Sequence, residues 1–124
     1  MSKRRQERMA NEMQRGISSI IQEGIKDPRI DSSSVSVIRI EVSRDLSHAR
    51  VNFSILGDED KQKETMLALN NAKGYIRSAL SQSIQVRQFP ELDFVLDKSI
   101  EHGIRITALL KELDEGKQEP ENEK

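Results

Sequence analysis

The sequence predicts a single α+β domain in the order α-β-β-α-α-β, with helices packed on one face of a small, mixed three-stranded sheet. Three observations predict it. An N-terminal stretch carries apolar residues at three- and four-residue spacing. Two adjacent segments, and one later segment, alternate apolar with polar residues. Between them runs a long helical stretch with a glycine at its middle. A chain of 124 residues can bury one working core without staples.

Residues 4–26 read as a helix. Met9, Met13, Ile17, Ile20, Ile21 and Ile25 form one apolar stripe. Asp27-Pro28 stops it, because the residue before proline avoids helical angles. Asp31-Ser32-Ser33-Ser34 is loop. Over 35–42, Ile38, Ile40 and Val42 alternate with Arg39 and Glu41, the period of a half-buried strand. Val35 and Val37 are out of phase with them. That calls for a bulge, or for a strand covered on both faces. Residues 43–48 lead to a second strand, where Ala49, Val51, Phe53 and Ile55 alternate with Arg50, Asn52 and Ser54. The pair reads as an antiparallel hairpin.

Gly57-Asp58-Glu59-Asp60 opens the long helical stretch, since acids at a helix start are favoured by capping and by the macrodipole. Met66, Leu69, Ala72, Ile76, Ala79 and Leu80 form its inner face. Gly74 costs about 1 kcal/mol relative to alanine in a helix interior. The stretch is therefore a candidate for two helices meeting at a kink. After Phe89-Pro90-Glu91, the alternation of Leu92, Phe94 and Leu96 gives a third strand. Ile100, Ile104, Leu109, Leu110 and Leu113 suit a short final helix. From Asp114 the chain has too few apolar residues to offset ordering entropy. The expected organisation is a domain over 1–113 and a disordered acidic tail over 114–124.

Catalytic chemistry finds little support. The absence of cysteine excludes disulfides and thiolate metal sites, and suits a reducing cytoplasm. No apolar run approaches the roughly 20 residues that span a bilayer. Met1-Ser2-Lys3-Arg4-Arg5 is basic, but no apolar segment of a secretory signal follows it. Ser43, Asp45, Ser47 and His48 supply triad residue types. A triad needs the histidine between nucleophile and acid, whereas in a hairpin connection these residues cap and shape a turn. His48 and His102 have no metal-ligand spacing around them. Asp93 and Asp97 read as solvated carboxylates, and no Gly-rich phosphate loop is present. No catalytic residue, metal or cofactor is expected.

The formal net charge of −1 argues against nucleic acid, whose partners usually carry a basic footprint. The charge is uneven, however. Residues 111–124 hold three basic and six acidic side chains, and the other residues carry 17 against 15, a net of +2. The first fifteen residues hold Lys3, Arg4, Arg5, Arg8 and Arg15 against Glu7 and Glu12. Arg44 lies in the hairpin connection and Arg50 in the second strand. Lys73 and Arg77 stand four apart beside Gly74, and Arg87 precedes the third strand. A solvated surface is the plain reading of such charges; a local face for phosphate is the functional one. Charge alone leaves the two evenly balanced. Tyr75 is the only tyrosine and there is no tryptophan, so base stacking is not expected to carry affinity.

Four separated motifs tip the balance. They are Asp27-Pro28-Arg29, then Ser43-Arg44-Asp45-Leu46-Ser47-His48-Ala49, then Leu69-Asn70-Asn71-Ala72-Lys73-Gly74-Tyr75-Ile76-Arg77-Ser78, and Arg87-Gln88-Phe89-Pro90-Glu91-Leu92-Asp93-Phe94. In order, from about Arg4 to Leu113, the chain resembles the ribosome-binding factor A family. The resemblance implies a KH-type (type II) RNA-binding fold. An ordinary KH domain clamps nucleic-acid backbone with a GXXG loop. Here Ala72-Lys73-Gly74 stands in its place and is similar to the family's Ala-x-Gly kink. That departure favours a shaped ribosomal RNA surface over ordinary single-strand reading.

The resemblance further implies a cytoplasmic, monomeric, non-enzymatic assembly factor without a cofactor. Its partners would be immature small ribosomal subunits and their RNA, with other assembly factors as further candidates. It would assist late maturation of the 16S ribosomal RNA, including its 5′ end, above all in the cold. On this reading Arg4, Arg5, Arg8, Arg44, Arg50, Lys73, Arg77 and Arg87 contact RNA, and Asn70, Ala72 and Gly74 shape the kink. A protein-interaction adaptor is the rival reading of the same charges. A chain ending at Leu113 is expected to keep its melting temperature within a few degrees, the usual shift for less than about 1 kcal/mol. A large drop in a thermal melt would mean that the tail docks.

Overall fold

The computed structural model describes residues 2–98 and 109–113. The apolar stripe at the N-terminus forms α1 (Ser2–Glu23), which buries Met9, Met13, Ile17 and Ile21. The helix stops earlier than the Asp27-Pro28 signal suggests. Gly24 adopts a φ of +98°, the left-handed conformation that glycine takes at a helix end, and its N–H donates to the Ile21 carbonyl at 3.1 Å. Ile25, expected on the helical stripe, therefore packs against the core from the loop.

That loop is held by the Asp27 carboxylate. It accepts Arg29 Nε at 3.0 Å, Arg29 Nη2 at 2.8 Å and the Arg29 backbone N–H at 3.0 Å. The Arg29 carbonyl in turn accepts the Thr65 hydroxyl at 3.3 Å, tying the loop to the second helix.

The sheet is mixed, in the order β1-β2-β3. β1 (Val35–Val42) pairs antiparallel with β2 (His48–Ile55), and β3 (Glu91–Leu96) lies parallel to β2 on its other side. Of the two readings of β1, the bulge is the one observed. Register passes from Val37↔Phe53 directly to Arg39↔Asn52 and leaves Ile38 extra. The inserted residue shifts the inward phase, from Val35 and Val37 before it to Ile40 and Val42 after it. The side-chain amide of Gln14 on α1 donates to the carbonyls of Val37 at 3.1 Å and Ile38 at 3.4 Å, on either side of the irregularity's first residue.

The long helical stretch divides into α2 (Glu59–Asn71) and α3 (Lys73–Ser83). Asp58 caps α2, accepting the Lys61 N–H at 2.8 Å. The break falls at Ala72 (φ −90°, ψ 2°), with Gly74 already inside α3. The Ala72 N–H reaches the carbonyls of Ala68 and Leu69, and the Ile76 N–H reaches that of Ala72, so the ladder continues through the kink.

The core gathers between these layers. Phe53 is fully buried and meets Phe94 edge to face, with ring centroids 5.0 Å apart. Leu69, Ile76 and Leu80 are buried as expected, and Met66 and Ala72 partly so. Of the four buried polar residues among those described, Ser34 lies in the loop before β1 and three lie within helices or strands. Gln62 donates to the Ile55 carbonyl at 3.0 Å, Thr65 serves Arg29, and Asn52 donates to the Arg39 carbonyl and to Glu41 Oε1, each at 3.3 Å. Buried polar groups persist where they find such partners. Leu109–Leu113 has helical backbone; the rest of the expected final helix and the acidic tail lie outside the described residues.

Replacing Gln14 by leucine keeps the bulk of the side chain and strands two carbonyls. The variant is expected to lose about 1–3 kcal/mol, read as a lower urea midpoint at unchanged m-value. An unchanged midpoint would show that the bulge does not depend on α1.

Candidate nucleic-acid interface

The connection from Ser43 to His48 folds around one carboxylate. Asp45 Oδ1 accepts the hydroxyls of Ser47 at 2.7 Å and Ser43 at 2.8 Å, and the Ser47 N–H at 3.1 Å. Ser43 Oγ accepts the backbone N–H groups of Ser47 and His48 at 3.1 and 3.0 Å. Leu46 turns the chain at φ 63°. Donated hydrogen bonds, chiefly from Ser47 and then Ser43, hold the Asp45 carboxyl down to about 2 from an ordinary 3.8. His48 Nδ1 lies 2.9 Å from Ser47 Oγ, but that hydroxyl also reaches Asp45. Serine thus stands between histidine and acid, the wrong order for a triad. The motif shapes a turn, as the sequence suggests.

This turn forms one wall of a cleft of about 560 Å³, whose opposite wall is the first turn of α3 and the segment before β3. Lys73 and Arg77 line it together. Lys73 Nζ sits 5.3 Å from the centroid of the Phe94 ring, and the Arg77 guanidinium 5.5 Å from that of Phe89. Arg77 Nη2 also donates to the Phe89 carbonyl at 3.4 Å. Cation–π contacts of this kind hold long side chains in place without consuming their charge. Beside them Gly74 leaves bare backbone; a Cβ there would meet nothing within 4 Å. Ser47 and His48 face the cations, and Glu91 at the rim pairs with His48 at 3.6 Å.

A second groove of about 450 Å³ runs between the start of α1 and the end of β1, with Lys3 and Arg44 among its lining. Gln6 fixes its floor by donating to the Val42 carbonyl at 2.7 Å. The hairpin connection thus contributes Arg44 to one hollow and Ser47-His48 to the other.

The remaining expected contacts are dispersed. Arg4 and Arg5 are exposed on α1, and Arg8 lies there 3.6 Å from Glu12. Arg50 stands on the outer face of the sheet in register with Glu41 and Asp93, 3.9 Å from the Glu41 carboxylate. Carboxylates on both flanks weaken its appeal to phosphate. Arg87 is exposed ahead of β3. Of the kink residues, Ala72 is the break itself, Asn70 donates to the Met66 carbonyl at 3.1 Å, and Gly74 opens the cleft. Ser47, His48, Gln88 and Phe89 also line the cleft; their charge does not mark them, although all lie in the motifs quoted above.

Among the described residues no three His, Cys, Asp or Glu side chains could share a metal ion, and no helix is long and apolar enough to cross a membrane. What the cleft offers is a pair of fixed cations beside hydroxyl and imidazole groups. That set suits an anionic backbone.

The chain is similar to known proteins in both sequence and fold. A family model described as ribosome-binding factor A matches residues 5–110. A ribosome-binding factor A of Syntrophomonas wolfei is 64% identical over 115 residues, covering 93% of this chain and 94% of that protein. One from Caldicellulosiruptor saccharolyticus is 46% identical over 121 residues, covering 94% and 87%. Among solved structures, the solution structure of a candidate ribosome-binding factor A from Thermotoga maritima superposes with a TM-score of 0.67 at 33% identity, covering 78% of this chain and 91% of that one. The crystal structure of the Thermus thermophilus factor gives a TM-score of 0.63 at 23% identity, covering 73% and 94%. The expected KH-type fold stands.

Because the folded Asp45 carboxyl is depressed, its contribution to stability is complete above the ordinary 3.8 and is lost as pH falls through about 2. Its side-chain carbon should titrate near that lower value by NMR. Asp45→Asn should flatten the fall of the melting temperature between those two pH values. A titration midpoint at the ordinary value would mean that the turn is open in solution.

Proposed function

The chain belongs to the ribosome-binding factor A family, and we propose that it is a cytoplasmic, non-catalytic factor that binds immature small ribosomal subunits through their RNA. One observation carries this reading: Lys73 and Arg77, held by two aromatic rings, stand beside the bare backbone of Gly74 in a single cleft. A cleft so built recognises phosphate by charge and a folded RNA surface by shape. The N-terminal arginines of α1 and the groove holding Lys3 and Arg44 extend the basic surface. A Thermus thermophilus relative, 24% identical, has been fitted into the map of its complex with the 30S subunit, and the same partner is proposed here.

The factor would assist late maturation of the 16S RNA, its 5′ end included, and would leave before translation begins. Its work is a shift of population. A protein that binds one RNA arrangement better than another favours it by the difference in affinity, with no other input. Low temperature makes that help harder to replace, because breaking stacked base pairs has a large activation enthalpy and misfolded RNA helices persist. Other assembly factors are further candidate partners, and the protein would act as a monomer.

Arg44→Ala with Arg77→Ala is expected to leave thermal stability nearly unchanged and to flatten the salt dependence of subunit binding, by about 0.7–0.9 in slope for each phosphate contact removed. Deletion should slow growth in the cold and accumulate precursor RNA with unprocessed 5′ ends. A folded Lys73→Glu, Arg77→Glu protein should not restore growth. Full rescue by that variant would rule out the α3 cleft as the RNA-facing element.

A further inference from the structure

Tyr75 is 61% exposed in the first turn of α3. It lies between Lys73 and Arg77 in sequence but not in space. At about 100° per residue, Lys73 and Arg77 share one flank of the helix, and Tyr75 falls on the opposite flank. The contacts agree. Lys73 and Arg77 lean on Phe94 and Phe89 and line the cleft, whereas Tyr75 does not line it. Ile76 and Leu80 are fully buried and define the inward direction. The outward ridge between the two flanks is therefore occupied by Gly74 and Ser78, both exposed. At Gly74 the ridge has no side chain, and nothing stands within 4 Å of where a Cβ would be.

A single exposed tyrosine is ordinary on a protein surface. Three features in one helical turn are less so: a cation pair on one flank, an uncovered backbone on the crest and an aromatic ring on the other flank. They match the parts of one nucleotide. We propose that the first turn of α3 grips a single unpaired RNA nucleotide, its phosphate against Lys73 and Arg77, its sugar crossing Gly74 and its base stacked on Tyr75. The base has to be unpaired, because the bases of an A-form duplex are enclosed in the helix and present no free face to a side chain. This deepens the RNA-binding reading and rests on it. It also revises the expectation that stacking contributes nothing: one well-placed ring is enough for one base.

The test compares wild type, Tyr75→Phe, Tyr75→Ala and Lys73→Glu/Arg77→Glu on isolated immature small subunits and on protein-free small-subunit RNA. Tyr75 is exposed, so its variants should melt like wild type. Tyr75→Ala is expected to bind about 10-fold more weakly on both targets, within the range for losing one stacked base, with an unchanged salt slope. Tyr75→Phe should stay within about twofold of wild type, since every aromatic ring offers a stacking face. Wild-type binding by Tyr75→Ala, with Lys73→Glu/Arg77→Glu weakened, overturns the stacking proposal and leaves the RNA-binding site standing. So does equal loss in Tyr75→Phe, which would mean that the hydroxyl acts instead. A loss confined to intact subunits overturns it as well, because the ring then touches a ribosomal protein. Wild-type binding by Lys73→Glu/Arg77→Glu removes the site itself, and this inference with it.

Discussion

The crossing of α1 over the bulged strand β1 organises this domain. A bulge leaves carbonyls that the sheet does not pair, and unpaired carbonyls facing a core are costly. Beside this bulge Gln14 donates from the helix to the carbonyls of Val37 and Ile38, and at the strand end Gln6 donates to that of Val42. With α1 held in that place, Gly16 faces α3. A Cβ on Gly16 would come within 2.5 Å of Leu80 Cδ2, so the absence of a side chain sets how closely the two helices approach. Leu80 is fully buried and has little room to yield. The position of α3 follows, and with it the position of Lys73, Gly74 and Arg77. The cleft between α3 and the hairpin connection is thus linked to a strand irregularity by a chain of contacts.

The charge of this protein is distributed unevenly over its surface. The whole chain is slightly acidic, yet two cations are concentrated in one cleft with a single carboxylate at its rim. Aromatic rings restrain both cations, so less side-chain entropy remains to be lost on meeting a phosphate. The facing wall owes its shape to Asp45, which stays ionised because three donors converge on it. Arg50 shows the contrast. It has equal charge, but it sits in a ladder of carboxylates on the outer face of the sheet, where its attraction is largely answered within the protein.

What the sequence determined by itself was everything governed by local periodicity. Six elements, their order and most of their buried faces were legible from spacings of three to four and of two, because those spacings repeat the geometry of helix and strand. The break of phase at Val35 and Val37 was legible too, as either a bulge or a strand covered on both faces, and the turn role of Ser43 to His48 followed from residue type. Residues of three of the family motifs line one cleft, a neighbourhood the motifs do not themselves disclose. Tertiary structure decided the rest, since the deciding contacts join residues far apart in the chain. Two boundaries are local exceptions: Gly24 ends α1 ahead of the proline through its bond to Ile21, and the helix breaks at Ala72 while the glycine two residues on serves the surface. Gln62, Thr65 and Asn52 could be buried only where carbonyl or carboxylate acceptors from other elements awaited them. Which of the basic residues share a surface could not be read from spacing. Lys73 and Arg77 meet Ser47 and His48 because β3 returns parallel to β2 and brings its leading segment between them, and only the packed chain contains that neighbourhood.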